Sequence, residues 1–238
     1  RAEEFTDSVR GGCGEALKPY KYLRPDAGAS AFSIRRFVSD ESHKGWLWLP
    51  YTAEQIKSLQ PLLSTWISTS IMAALSMPPN EARRLWLVTD ELASLGLVSN
   101  LTDALDKGSA YGLCNITGIQ SLSQLHLHYG QHGAKILLGC YGTTVALRTP
   151  DHDTATAISK RLGGEDVLRE EESRGERGTT ISTRRDNNRE LVSWTEIETL
   201  PDLSGYLKLV GNYPATKFKL RYHSYAERIK PFIPRGAA

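Results

Sequence analysis

Apolar and polar positions divide the chain into a mixed opening, a run of short apolar strands separated by helices, and a charged, strand-bearing end. Gly11, Gly12, Gly14, Pro19 and Pro25 interrupt the opening, and a short helix carrying Phe32, Ile34 and Phe37 is expected over 31–38. At Trp46-Leu47-Trp48-Leu49 the pattern becomes a compact apolar run, expected as a buried strand. A long helix should follow, with Thr52 as its cap and Pro61 bending it or marking its true start, until Pro78 and Pro79 end it. Ile56, Leu59, Leu63, Trp66, Ile67, Ile71, Ala74 and Leu75 recur at helical spacing along one stripe. Leu85 to Thr89, Leu113 to Ile119 and Thr143 to Leu147 read as further strands. Helices are expected over 98–111 and from Asp151 to Leu162 with Asp151 as cap, and Ser121 to Tyr129 reads as a helix start. Apolar strands alternating with helices predict βαβ units and a parallel sheet covered on both faces.

Past Gly163 the character changes. Residues 165–190 are dense in charge and read as a solvated hairpin or mobile loop. Tyr206 to Val210 and Thr216 to Leu220 are strand-like, joined by the turn Gly211-Asn212-Tyr213-Pro214.

Composition narrows the class. With 238 residues, 40% hydrophobic and 24% charged, the chain is globular, which excludes collagen-like, disordered and disulfide-scaffold proteins. Lys plus Arg is 29 and Asp plus Glu 27, a balance that argues against a DNA-coating protein and leaves room for a local nucleic-acid site. Cys13, Cys114 and Cys140 are far apart, in no C-x-x-C spacing, and read as reduced core thiols of a cytosolic protein, not as zinc ligands or bridges. His126, His128, His132 and His152 show no metal-ligand spacing. Ser58 to Asn80 carries no charge, yet its scattered serines and threonines suit a buried amphipathic helix better than a membrane span. The chain opens on Arg1, and Ala2-Glu3-Glu4-Phe5 reads as the end of a helix already under way, the expectation being a piece of something longer.

Candidate chemistry concentrates at two strand ends. Leu85-Trp86-Leu87-Val88-Thr89-Asp90-Glu91 places adjacent carboxylates where a parallel sheet opens into its ligand crevice. There Asp90 can hold a magnesium-bound water and Glu91 can polarise water attacking a nucleotide γ-phosphate, a Walker B arrangement. The same string also describes a strand ending in a polar turn. Gln120, thirty positions after Asp90 at the end of the next strand, suits sensing of a γ-phosphate, or is a capping or surface glutamine. The phosphate-cradling G-x-x-x-x-G-K-[ST] loop is missing, because no Gly-Lys pair occurs in the sequence. Either the other half of a nucleotide site lies outside these residues, or this is not a nucleotide site.

Longer strings sharpen the reading. Arg84-Leu85-Trp86-Leu87-Val88-Thr89-Asp90-Glu91-Leu92-Ala93-Ser94-Leu95 resembles the Walker B segment of type IV secretion coupling proteins, the TraD/TrwB type of bacterial conjugation. The likeness continues in Leu101-Thr102-Asp103-Ala104-Leu105, Gly118-Ile119-Gln120-Ser121-Leu122-Ser123-Gln124-Leu125 and Tyr129-Gly130. It extends to Glu196-Ile197-Glu198-Thr199-Leu200-Pro201-Asp202-Leu203 and, upstream, to Phe32-Ser33-Ile34-Arg35.

The resemblance implies an α/β, RecA-like P-loop NTPase core with a mostly parallel sheet, lacking its Walker A half and ending in a β-rich extension. Residues 1–30 would be the tail of an inserted all-α domain, and 31–238 the C-terminal part of the nucleotide-binding domain. By motif match Asp90 takes the magnesium role through water, Glu91 the catalytic water role and Gln120 the sensing role. The implied full-length protein is an ATP- and Mg²⁺-using homo-hexamer on the bacterial inner membrane, with this portion cytoplasmic. Its implied partners are single-stranded DNA, a relaxase or relaxosome, and the secretion channel; without Walker A the piece alone is expected to be inactive. Where the family places an arginine finger, Lys107-Gly108-Ser109-Ala110-Tyr111-Gly112 has Ser109, so either Lys107, Arg148 or Arg161 supplies the nucleotide contact in trans, or the motor is slow. Arg184, Arg185 and Arg189, with Lys217, Lys219 and Arg221 beside Phe218, Tyr222 and Tyr225, are candidate DNA contacts, as are Arg228 and Lys230. The rival readings are an isolated non-catalytic module binding relaxase or single-stranded DNA, and an unrelated RecA-like motor.

Overall fold

The computed structural model describes residues 11–14, 17, 19–20, 32–42, 44–175 and 178–225, without the side chains of 166–188. Of the expected all-α tail, 11–14 are helical and most of the rest lies outside the described residues, as do Arg228 and Lys230. Two compact units divide the chain, 1–142 and 143–238.

In the first unit, helix α1 (Ile34–Ser39) begins at Ser33, whose hydroxyl accepts the Arg36 N–H. The run 44–50 forms no ladder among the described residues. Trp46 and Trp48 stand 69% and 75% exposed with rings stacked 5.6 Å apart, while Leu49 packs on the core. The in-out alternation of a strand is therefore present, but a strand also needs a partner edge, and none among the described residues meets this one.

Helix α2 (Ile56–Leu75) starts later than its expected cap. The Thr52 carbonyl accepts the N–H groups of Gln55 and Ile56, so Thr52 opens a turn and Pro61 falls inside the helix. Leu62, Leu63, Ile67, Ile71, Ala73 and Ala74 are buried along it. The absence of charge has a local explanation: Ser64, Thr65, Thr69, Ser70 and Ser76 each donate a hydroxyl to a carbonyl three or four residues back. No helix among the described residues is long and apolar enough to cross a membrane.

Strand β1 (Leu85–Thr89) pairs in parallel with β2 (Leu113–Thr117) in the register Leu85↔Leu113 through Thr89↔Thr117. Helix α3 (Leu101–Lys107) and the 3₁₀ turn Gly108–Tyr111 join them, shorter than the single helix expected over 98–111. Helix α4 (Leu122–Gly139) begins where a helix start is expected and continues to Gly139, broken at Gly130, whose φ of 67° is left-handed. Leu92, Leu95, Val98, Leu101, Leu113, Leu125 and Leu137 join the α2 stripe in one core, each contributing roughly 1.5–3 kcal/mol of burial.

The second unit departs from the expected parallel arrangement. Strand β3 (Thr144–Leu147) pairs antiparallel with β6 (Ser204–Lys208), and β6 with β7 (Thr216–Lys219). The register Ala146↔Tyr206 places two buried residues on one face, which selects this pairing. Helix α5 (His152–Leu162) is capped by Asp151, whose carboxylate accepts the Thr154 N–H at 3.1 Å. The charged segment forms a hairpin of β4 (Gly164–Gly175) and β5 (Gly178–Glu190). Helix α6 (Trp194–Glu198) follows, and Ala155, Leu162, Val192, Ile197, Leu200 and Tyr206 form this unit's core.

Candidate active site

The ends of β1 and β2 leave the sheet together and stay tied. Gly118 donates its N–H to Thr89 O at 2.7 Å, and Leu92 donates to Gly118 O at 3.0 Å. A Cβ at Gly118 would sit 1.9 Å from the Asp90 carbonyl oxygen, so only glycine lets the two chains approach this closely. Asp90-Glu91 and Gly118-Ile119-Gln120 therefore share one edge of the sheet.

Their environments differ. Asp90 is exposed at the strand end, and so is Gln120, directly before Ser121, whose hydroxyl caps α4 by accepting the Ser123 N–H at 3.2 Å. Glu91 is half-buried, and both of its carboxylate oxygens are enclosed without a hydrogen-bond partner among the described residues. Enclosing a carboxylate this way is costly, and a group retained at such cost calls for an explanation in function.

Two tyrosines hold the surroundings. Tyr129 accepts the Val98 N–H at 3.1 Å, and Tyr141 shares a hydrogen bond with Thr117. Burial pushes both phenols above their ordinary range, so each stays protonated. Tyr129-Gly130 stands out in the sequence only as a string; its contact with the loop after β1 needs the fold to be seen.

The proposed contacts in trans each have a partner. Lys107 lies 2.7 Å from Asp103, four residues back on α3, and that hydrogen bond and charge raise its pKa. Ser109 is exposed on the following turn. Within the second unit, Arg148 lies 2.7 Å from Asp202, and Arg161 Nε donates to Thr144 Oγ1 at 2.6 Å.

Of the DNA candidates, Arg184 and Arg185 fall on β5 opposite Arg169 and Leu168, with side chains outside the described residues. Arg189 is exposed opposite Glu165. Lys217 and Lys219 are exposed on β7, at the edge of the sheet order β3-β6-β7, with Phe218 turned partly inward and Arg221 exposed beyond. Lys217 is bonded to Glu196 at 2.8 Å and lies 5.4 Å from the Tyr206 ring centroid. That hydrogen bond, followed by one from Tyr206, holds the Glu196 carboxyl below its usual range. Charged edge lysines also protect a sheet from edge pairing, and β7 has that use for them.

The family model of the type IV secretion-system coupling protein DNA-binding domain matches residues 1–221. The chain belongs to this family. Coupling protein TraD of Escherichia coli (strain K12) is 32% identical over a 244-residue alignment covering 99% of the chain and 34% of TraD. Among solved structures, plasmid coupling protein TrwB in complex with a non-hydrolysable ATP analogue superposes with a TM-score of 0.74 at 34% identity. That match covers 85% of this chain and 46% of TrwB. TrwB in complex with ADP and Mg²⁺ gives a TM-score of 0.68 at 34% identity, over 83% of this chain and 45% of TrwB. The fold is thus the α/β, RecA-like P-loop class, with antiparallel strands beside the parallel pair. The chain spans between a third and a half of the length of these coupling proteins.

Proposed function

We propose that this chain is the Walker B and sensor portion of the ATPase motor of a conjugative coupling protein. Asp90, Glu91 and Gln120 act on ATP, and the full protein uses hydrolysis to drive relaxase-bound single-stranded DNA to the secretion channel. One observation supports this above the others: the Gly118 tie brings two polar strand ends to one edge, where a buried carboxylate has no partner.

The donor set suits the implied ligands. Asp90 offers an exposed hard oxygen, fit to hold Mg²⁺ through water. Bound Mg²⁺ supplies neutralisation of phosphoryl charge. Glu91 orients the attacking water and takes its proton on a carboxylate oxygen, and the Gln120 amide reports the γ-phosphate. With no Gly-Lys pair in the sequence, the phosphate loop is supplied from outside it, and this chain by itself does not turn ATP over. Any of Lys107, Arg148 or Arg161 that reaches a neighbouring subunit's nucleotide must first leave its present partner. Residues 1–30 belong to the inserted all-α domain and the remainder to the motor. The assembly is a homo-hexamer anchored in the inner membrane, with this portion on the cytoplasmic side.

In the full coupling protein, Gln120→Ala is expected to lower ATP turnover about 10²-fold with little change in affinity for a non-hydrolysable analogue. Unchanged turnover would remove Gln120 from the site.

The family's description as a DNA-binding domain favours a second reading, a module that grips single-stranded DNA or relaxase without catalysis. Titrating the chain with a labelled single strand across salt tests it. If Arg184, Arg185, Arg189, Lys217, Lys219 and Arg221 all neutralise phosphates, log K falls against log salt with a slope near −4, from about −0.7 per contact. A flat line assigns those residues to the surface.

A further inference from the structure

We infer that Ser94, held in place by Tyr51 and Gln60, is a positioning residue for the Glu91 carboxylate; this rests on the reading of Glu91 proposed above. Among the described residues no hydrogen-bond partner holds the Glu91 head group, and the point from which the side chain extends is set by the main chain. The backbone at Glu91 is extended, with φ −134° and ψ 95°, and the chain then turns into the 3₁₀ helix Leu92–Leu95. The peptide group joining Glu91 to Leu92 is gripped at both ends. Its N–H donates to Gly118 O at 3.0 Å, and its carbonyl accepts Ser94 Oγ at 2.8 Å.

A serine bonding three residues back is by itself an ordinary turn feature. Here it is the inner end of a longer brace. The one hydroxyl proton of Ser94 goes to Glu91 O, so the Tyr51 hydroxyl, 2.9 Å from Ser94 Oγ, is the donor between the two. Gln60 Nε2 donates to the carbonyl of the same Ser94 at 3.0 Å. Tyr51 and Gln60 stand 43 and 34 positions away in sequence, so local turn geometry does not account for their convergence on Ser94. Gly96 makes room for the second of them. A Cβ there would lie 2.9 Å from Gln60 Cδ and Nε2, and its φ of +68° disfavours other residues.

Release of the Glu91–Leu92 peptide would let the Glu91 Cα that carries the carboxylate shift, and a misplacement of about 1 Å in a reacting constellation costs on the order of 10²-fold in rate. The brace resists that shift without touching nucleotide, so its loss should fall on kcat and spare KM.

The test measures steady-state ATP hydrolysis and thermal melting of the full coupling protein bearing Ser94→Ala, Ser94→Thr, Tyr51→Phe or the Ser94→Ala/Tyr51→Phe pair, with Glu91→Gln as reference. Ser94→Ala is expected to lower kcat about tenfold or more at unchanged KM for ATP, and Tyr51→Phe to lower it about threefold. Ser94→Thr, which keeps the hydroxyl, should restore most of the rate, and the double variant should be no worse than Ser94→Ala. Wild-type kcat in Ser94→Ala while Glu91→Gln is dead overturns the brace alone; wild-type kcat in both overturns the role of Glu91 itself. Should Ser94→Ala fail to fold, Tyr51→Phe decides: an unchanged kcat there overturns the brace.

Discussion

Glu91→Gln in the full coupling protein is expected to stop ATP turnover and leave the nucleotide bound. The substitution keeps the shape of the side chain and removes the base. A positioned general base contributes about 10²–10⁴-fold, so the residual rate should fall by that factor. The structure makes the experiment clean. Both oxygens of Glu91 are enclosed without a partner, so the change breaks no hydrogen bond or ion pair among the described residues and relieves a buried charge. Thermal stability should therefore hold or rise while turnover collapses, a separation that a purely structural glutamate would not produce. Radiolabelled ATP retained after gel filtration, together with phosphate release, reads both quantities. Turnover at the wild-type rate would take Glu91 out of the mechanism.

Local signals made much of the first unit legible, and one helix cap of the second. The α2 stripe, the two apolar strands ending in Asp90 and in Gly118-Ile119-Gln120, and the Asp151 cap all follow from spacing and capping chemistry within a few residues of each other. What the sequence hid was pairing. Trp46 to Leu49 has the alternation of a strand, but whether a ladder forms depends on an edge elsewhere. Thr144–Leu147 was legible as a strand, yet its antiparallel partner β6 lies some sixty residues on, and no local pattern carries direction.

The site divides in the same way. Asp90, Glu91 and Gln120 stand at the ends of apolar strands, a place that also suits polar turns and caps, and it is the longer strings around them that single them out. Tyr51, Gln60 and Ser94 are ordinary polar residues whose meaning exists only when they converge. Gly96 carries the one local trace, a glycine just past a short turn, and a glycine there reads equally as punctuation. The cationic candidates show the reverse failure. Lys107, Arg148 and Lys217 look available in sequence, whereas in the fold each sits within 2.8 Å of a carboxylate.

Gly118→Ala is expected to be among the most damaging single changes in the chain, although it adds one methyl group. That methyl would lie 1.9 Å from the Asp90 carbonyl oxygen and 2.9 Å from its carbon, both main-chain atoms that cannot rotate away. Relief requires spreading the ends of β1 and β2, which breaks the bonds from Gly118 N–H to Thr89 O and from Leu92 N–H to Gly118 O. Overpacking alone costs roughly 1–3 kcal/mol, and each buried group left unpaired costs about 1–3 kcal/mol more. A loss on the order of 4 kcal/mol is therefore expected, large against the usual 5–15 kcal/mol of a domain. Urea unfolding followed by circular dichroism measures it, with Gly139→Ala, where nothing lies within 4 Å of an added Cβ, as the control for glycine loss itself. If the chain survives by parting its strand ends, stability recovers and function does not, because the opening separates Gln120 from Glu91 and frees one end of the peptide that anchors the Glu91 main chain. A variant with the midpoint and the ATP turnover of the parent protein would mean that the close approach at Gly118 is dispensable, and the tie between the two strand ends with it.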